Sequence, residues 1–98
     1  MDRERAAGLL KNLPDRPGVY LMRSGEGQVI YVGKAKSLKK RVSSYFRHDS
    51  FASPRLRKLV QSIADISVIR TGTDVEALVL EAKLIRKYAP FFNVELKM

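Results

Sequence analysis

Cysteine is absent from this chain, which excludes a disulfide framework, a thiolate metal site and a cysteine nucleophile. Long apolar runs are missing as well. No stretch approaches the roughly 20 residues that a transmembrane helix needs, and the N-terminus lacks the apolar core of a secretory leader. There are no internal repeats and no low-complexity tract. Histidine occurs once, as His48, in a stretch that reads as a polar surface loop. Acidic residues are scarce, with 10 Asp and Glu against 19 Lys and Arg, leaving a net charge of +9. These absences point away from a membrane or secreted protein and fit a cytoplasmic one.

What is present is enough for one small domain. Ninety-eight residues, 45% of them apolar, can bury a single modest core. The positive charge is concentrated. From Lys34 to Lys58 nine Lys and Arg face one acid, Asp49, so this segment alone carries +8. A charge density of that kind points to a polyanionic partner. A basic surface with no partner is the plain alternative.

The most telling pattern is a near-palindrome, Gly18-Val19-Tyr20 followed by Tyr31-Val32-Gly33. Each triplet belongs to a run of strand formers, Gly18 to Met22 and Gln28 to Gly33, and Arg23-Ser24-Gly25-Glu26-Gly27 reads as the turn between them. A two-residue Gly25-Glu26 turn sets Leu21 opposite Ile30, Tyr20 opposite Tyr31 and Gly18 opposite Gly33. Directly opposed residues share a face, so the two phenols lie side by side, with Lys34 just past the strand end. Around this hairpin the sequence predicts a helix over residues 2–12 with Asp2 as a possible cap. A second helix starts at Ser37 and runs to about Arg47, and a third starts at Ser53-Pro54 and runs to about Ile63. A third strand carries Ile66, Val68 and Arg70 on one face. A last helix, opened by the capping-box pair Thr73 and Glu76, ends near Tyr88 ahead of Pro90. Phe91, Phe92 and Val94 read as an apolar tail. The fold class is therefore α/β, a small three-stranded antiparallel sheet flanked by helices.

Several side chains look chemical. On its helix, Glu81 falls roughly 140° from the solvated stripe of Glu76, Lys83 and Lys87, among Ala77, Leu78, Ile85 and Tyr88. A carboxylate on a packed side needs a cation or hydrogen bond to offset its desolvation. That partner is either a metal ion or a salt-bridging Arg or Lys. Arg41 and Tyr45, one helical turn apart, border the apolar stripe of Leu38, Val42 and Phe46. A guanidinium fork there suits a phosphate, although Arg41 also reads as one more solvated cation and Tyr45 as a core residue. Tyr20 and Tyr31 read equally as a cross-strand aromatic pair filling the core. Gly33 lets a backbone or phosphate come close. Lys34 and Lys36 can hold phosphates or lower the pKa of a nearby phenol. Asn93 reads as a buried amide, a turn residue or a polar group facing a cleft.

Taken as an ordered set, these residues resemble the GIY-YIG nuclease family, with Val in place of Ile at the centre of both triplets. Pro17-Gly18-Val19-Tyr20, Ile30-Tyr31-Val32-Gly33-Lys34-Ala35-Lys36, Arg41 with Ser44-Tyr45, and Leu80-Glu81-Ala82-Lys83-Leu84-Ile85 with Tyr88, Pro90, Asn93 and Val94 are similar to its bacterial nucleotide-excision-repair branch. The resemblance covers residues 14 to 97 and implies the N-terminal domain of a longer protein, residues 1–98 forming one unit. It implies a DNA endonuclease that makes the 3′ incision at damaged double-stranded DNA, with UvrB engaged through later domains and this fragment a monomer. It further implies Glu81 as the protein ligand of a single Mg²⁺ or Mn²⁺, and Arg41 as the group stabilising the scissile phosphate. Tyr31, helped by Lys34, would be the general base, while Tyr20, Tyr45 and Asn93 would orient water, phosphate or metal shell. Gly33, Lys34, Lys36, Lys39, Lys40 and Arg41 would meet the DNA. The competing readings are a non-catalytic basic nucleic-acid-binding module and a homing- or restriction-type nuclease of the same family.

Overall fold

The computed structural model describes residues 3–47 and 53–95. Its elements run α1 (Arg3–Lys11), β1 (Gly18–Arg23), β2 (Val29–Ala35), α2 (Leu38–Ser44), α3 (Pro54–Ser62), β3 (Asp65–Arg70), α4 (Asp74–Tyr88) and α5 (Phe91–Glu95). The expected Asp2 cap and the His48 loop lie outside the described residues. The three strands form one antiparallel sheet in the order β2-β1-β3, with β1 in the centre. Among the described residues no helix is long and apolar enough to cross a membrane.

Local chemistry starts the helices where the sequence predicts. Ser37 caps α2 by accepting from Lys40 N at 3.2 Å, and Ser53 caps α3 by accepting from Leu56 N at 3.4 Å with Pro54 in the first turn. Thr73 Oγ1 accepts from Glu76 N at 3.1 Å, while Glu76 Oε2 accepts from Gly72 N at 3.3 Å, so the capping box closes one residue further back than its usual form. α4 ends at Ala89, which turns left-handed at φ 43°, and a buried Pro90 follows. The Phe91–Glu95 segment, read as a tail, is instead a short helix. Proline just ahead of its first residue was the available signal.

The two faces of the sheet carry separate cores. Tyr20, Met22, Leu38, Val42, Tyr45, Leu59 and Ile63 pack on one face under α2 and α3. Val19, Leu21, Val32 and Ala77 pack on the other under α4, with Leu80, Leu84 and Ile85 at the margin. Burial contributes about 1.5–3 kcal/mol for each large aliphatic side chain removed from water. Ile66 and Val68 of β3 join the Tyr20 face, as the alternation predicts.

The hairpin register differs from the expectation. Tyr20 pairs with Gly33, not Tyr31, and Gly18 pairs with Ala35, not Gly33. Two one-residue insertions cause the difference. The turn is Ser24–Gly27, closed by Gly27 N to Ser24 O at 2.9 Å, and the positive φ of 85° falls on Gly27, not Gly25. Ser24 N then bonds Gln28 O at 2.9 Å, which is the pattern of a three-residue loop with a glycine bulge. A second irregularity between Met22 and Arg23 leaves Ile30 without an opposite residue. A slip of two restores parity, so Tyr20 and Tyr31 still share a face, now on a diagonal.

Candidate active site

Three tyrosines from three elements meet on the α2 face. Tyr20 of β1 is 1% exposed, Tyr45 at the end of α2 is 4% exposed, and Tyr31 of β2 is half-buried beside them. Their ring centroids are 6.2 Å apart for Tyr20–Tyr31, 5.8 Å for Tyr20–Tyr45 and 6.4 Å for Tyr31–Tyr45. The hydroxyls of Tyr20 and Tyr45 are hydrogen-bonded at 2.7 Å. Gly33 makes room for this arrangement. A Cβ there would collide with Cζ and Oη of Tyr20, so what Gly33 admits is the phenol of its cross-strand partner. Gly33 itself is buried beside that ring.

Arg41 stands over the cluster, its Cζ 5.1 Å from the Tyr45 ring centroid, within cation–π range. Burial opposes its charge, but Tyr45 and Tyr20 outweigh that and hold its pKa above the ordinary arginine value. The phenols are pushed the other way. Burial raises the pKa of Tyr20, Tyr31 and Tyr45, and ionising one phenol is resisted by its neighbours. Arg41 lowers all three. The site thus holds a permanent cation above neutral phenols, an arrangement suited to receiving an anion.

Glu81 enters from the opposite layer. It is half-buried on α4, one turn from the fully packed Ala77, and its charge raises the pKa of Tyr31. Among the described residues no group of three His, Cys, Asp or Glu side chains gathers to hold a metal. A lone, half-buried carboxylate offers a hard oxygen donor with few further protein ligands. It fits a hard cation that keeps most of its waters, as Mg²⁺ does.

The remaining predicted residues fall elsewhere. Asn93 on α5 is an edge clamp. Its Oδ1 accepts from Val32 N and its Nδ2 donates to Val32 O, both at 2.8 Å. Both ends of its amide are thereby committed to the backbone between Tyr31 and Gly33. Lys34 pairs with Val19, so strand alternation sends it from the face opposite Tyr31. Arg41 is the cation that acts most on Tyr31. Lys36, Lys40, Arg41 and Ser44 line one shallow groove beside α2, and Lys39 is exposed on the same helix. Sequence reasoning missed the edge clamp, and no local pattern signals it because its partner is 61 residues away.

The chain matches the model of the UvrC-like GIY-YIG domain over residues 16–94. It is 48% identical over 96 residues to UvrABC system protein C of Prochlorococcus marinus, and 53% identical over 88 residues to that of Carboxydothermus hydrogenoformans. These alignments cover 98% and 90% of the chain but only 15% and 14% of the relatives. The structure is similar to the N-terminal GIY-YIG endonuclease domain of UvrC from Thermotoga maritima bound to its catalytic magnesium. That match has a TM-score of 0.80 and 31% identity, over 93% of this chain and 98% of that one. Point variants of the Thermotoga domain, three tyrosines changed to phenylalanine and one asparagine to alanine, are also bound to its catalytic divalent cation.

Proposed function

This chain belongs to the family of UvrC-like GIY-YIG domains, and on that premise we propose that it is a divalent-metal-dependent DNA endonuclease domain making the 3′ incision near a lesion in nucleotide excision repair. One observation carries the reading: Arg41 and three phenols converge on one face of the sheet, with the Glu81 carboxylate half-buried on the α4 layer. A plain basic binding surface has no use for buried hydroxyls under an arginine.

Each group has a task that follows from its position. The Arg41 fork binds non-bridging oxygens of the scissile phosphate and stabilises the charge that builds there. Glu81 holds Mg²⁺ or Mn²⁺. The cation, when bound, offsets charge on the phosphate and on the leaving oxygen. Tyr31 orients the attacking water; its phenol first releases its own proton to solvent, and the phenolate then takes the proton of the water. Neutralising Glu81 removes one of the influences that keep the Tyr31 phenol protonated, and Arg41 works in the same direction. The Tyr20–Tyr45 hydrogen bond fixes the floor of the site, and Tyr45 in turn supports Arg41. Asn93 holds β2 so that Tyr31 keeps its place. Since the chain spans about 15% of the length of its curated relatives, lesion choice and UvrB binding belong in this reading to other parts of the protein. This domain acts as a monomer within it.

The test is nicking of damaged duplex by the longer protein in its repair complex, with Mg²⁺ or Mn²⁺. Glu81→Gln and Arg41→Ala are expected to lower the rate by about 100-fold or more, the scale of losing one group that stabilises transition-state charge. Near-normal cutting by either folded variant removes its assigned role.

A further inference from the structure

A second basic hollow lies beside the site and has no part in the chemistry above. The registers align Ala35 of β2, Gly18 of β1 and Arg70 of β3 in one row at the end of the sheet. Arg70 and Arg16 line a shared hollow there together with Pro14 and Asp15. Both arginines are exposed.

The loop that carries Arg16 is fastened on both sides. Leu38 N donates to Arg16 O and Lys39 N to Pro14 O, each at 3.0 Å, which ties it to the start of α2. Thr71 N donates to Pro17 O at 3.0 Å, which ties it to the end of β3. Asp15, the one acid in the hollow, is engaged by the Ser37 hydroxyl, which holds its pKa below the ordinary carboxylate value, with Lys40, Lys39 and Arg16 adding to the effect. Ser37 and Lys40 also line the groove that leads to Arg41. The two hollows therefore meet at the Asp15–Ser37 pair, and a cationic track runs from Arg41 past Lys36 and Lys40 to Arg16 and Arg70.

We propose that the Arg16–Arg70 hollow is a second phosphate subsite, holding one backbone phosphate of the DNA away from the scissile one. Arg70 and Ala35 lie two strand spacings apart, about 10 Å, or roughly three nucleotides at 3.4 Å of rise per strand. A pre-fastened loop presenting two guanidinium forks binds a phosphate at small ordering cost. The subsite rests on the nuclease reading only for the identity of the polyanion, and it sets affinity and register without touching the reacting phosphate.

The test is the salt dependence of binding of the 98-residue chain to a labelled duplex oligonucleotide, read by fluorescence anisotropy. Arg16→Ala/Arg70→Ala is expected to weaken binding about tenfold at low salt and to reduce the slope of log affinity against log salt by about 0.9, one phosphate contact. The loop's fastenings are backbone bonds, so the variant keeps its fold by circular dichroism. Arg16→Gln/Arg70→Gln serves as the second pair. Lys83→Ala/Arg86→Ala removes the same charge from α4 and is expected to leave the slope unchanged. An unchanged slope in the arginine pair, or an equal fall in both pairs, overturns the subsite. Glu81→Gln in the repair complex tests the catalytic reading by itself: native cutting by it removes the metal-holding role of Glu81 and leaves the binding comparison standing.

Discussion

Strand β1 has two sides that solve different problems. Val19 and Leu21 point into a core that also holds Val32 and Ala77 and contains no hydroxyl. Tyr20 and Met22 point into one that holds two buried phenols and a third at its margin. The first core is held by apolar burial alone and tolerates no polar atom. The second must satisfy every hydroxyl it buries, and among the described residues no buried side-chain polar atom is left without a partner. One strand thus separates anchoring from chemistry by alternation alone. Glu81 sits half-buried on α4, in the anchoring layer.

The sharpest way to break that comparison is to damage the anchoring face. Leu21 is 3% exposed, and Leu21→Ala is expected to cost about 3 kcal/mol of stability by lost burial and cavity formation, measured by urea denaturation. The rate of nicking per folded molecule in the repair complex should be unchanged. If folded Leu21→Ala protein fails to cut, the two faces are coupled and the division of labour is wrong.

A smaller effect is expected at the edge clamp. Asn93→Ala leaves Val32 N–H and C=O without their side-chain partners. A part-buried pair on an edge strand regains some solvent, so the expected loss is about 2 kcal/mol, with faster amide exchange at Val32 than at its neighbours. Metal binding should persist, since Glu81 lies on a different helix. Undiminished protection at Val32 would show that β2 needs no clamp.

Much of this division is legible in the sequence because it rests on local chemistry. Ser37, Ser53-Pro54 and Thr73 with Glu76 mark helix starts through their own side chains. The alternation of Ile66, Val68 and Arg70 assigns β3 its faces. The hairpin register is not legible to the same depth. Gly25 and Gly27 can each take the positive φ, so the turn's own residues do not decide where it falls or whether Ile30 bulges. The phenols nevertheless share a face as expected, because two insertions preserve parity where one would have reversed it. Glu81 stands out by breaking its helix's polar stripe, although Leu78 and Tyr88, expected on its packed side, are exposed in the structure. Asn93 and the Arg16–Arg70 hollow do not stand out, since each exists only once distant segments have met.

The gentlest probe separates the two cores by pH. The neutral phenols of Tyr20, Tyr31 and Tyr45 are favoured by the fold, with burial the leading cause, so their folded pKa values lie above the unfolded value of about 10. Below pH ~10 both states keep their protons and the stabilisation is complete. Above it the unfolded chain releases protons that the folded one retains, so stability falls as pH rises through the folded values. The hydroxyl-free core has nothing that titrates there. Tyr20→Phe removes one raised phenol and leaves the Tyr45 hydroxyl without its 2.7 Å partner, at an expected cost of about 1 kcal/mol near neutral pH. Its Tm should then fall less steeply than that of the native chain between pH ~9 and ~11, while Leu21→Ala should keep the native steepness from a lower start. Parallel curves for native and Tyr20→Phe protein would mean that the alkaline loss does not come from the phenol face.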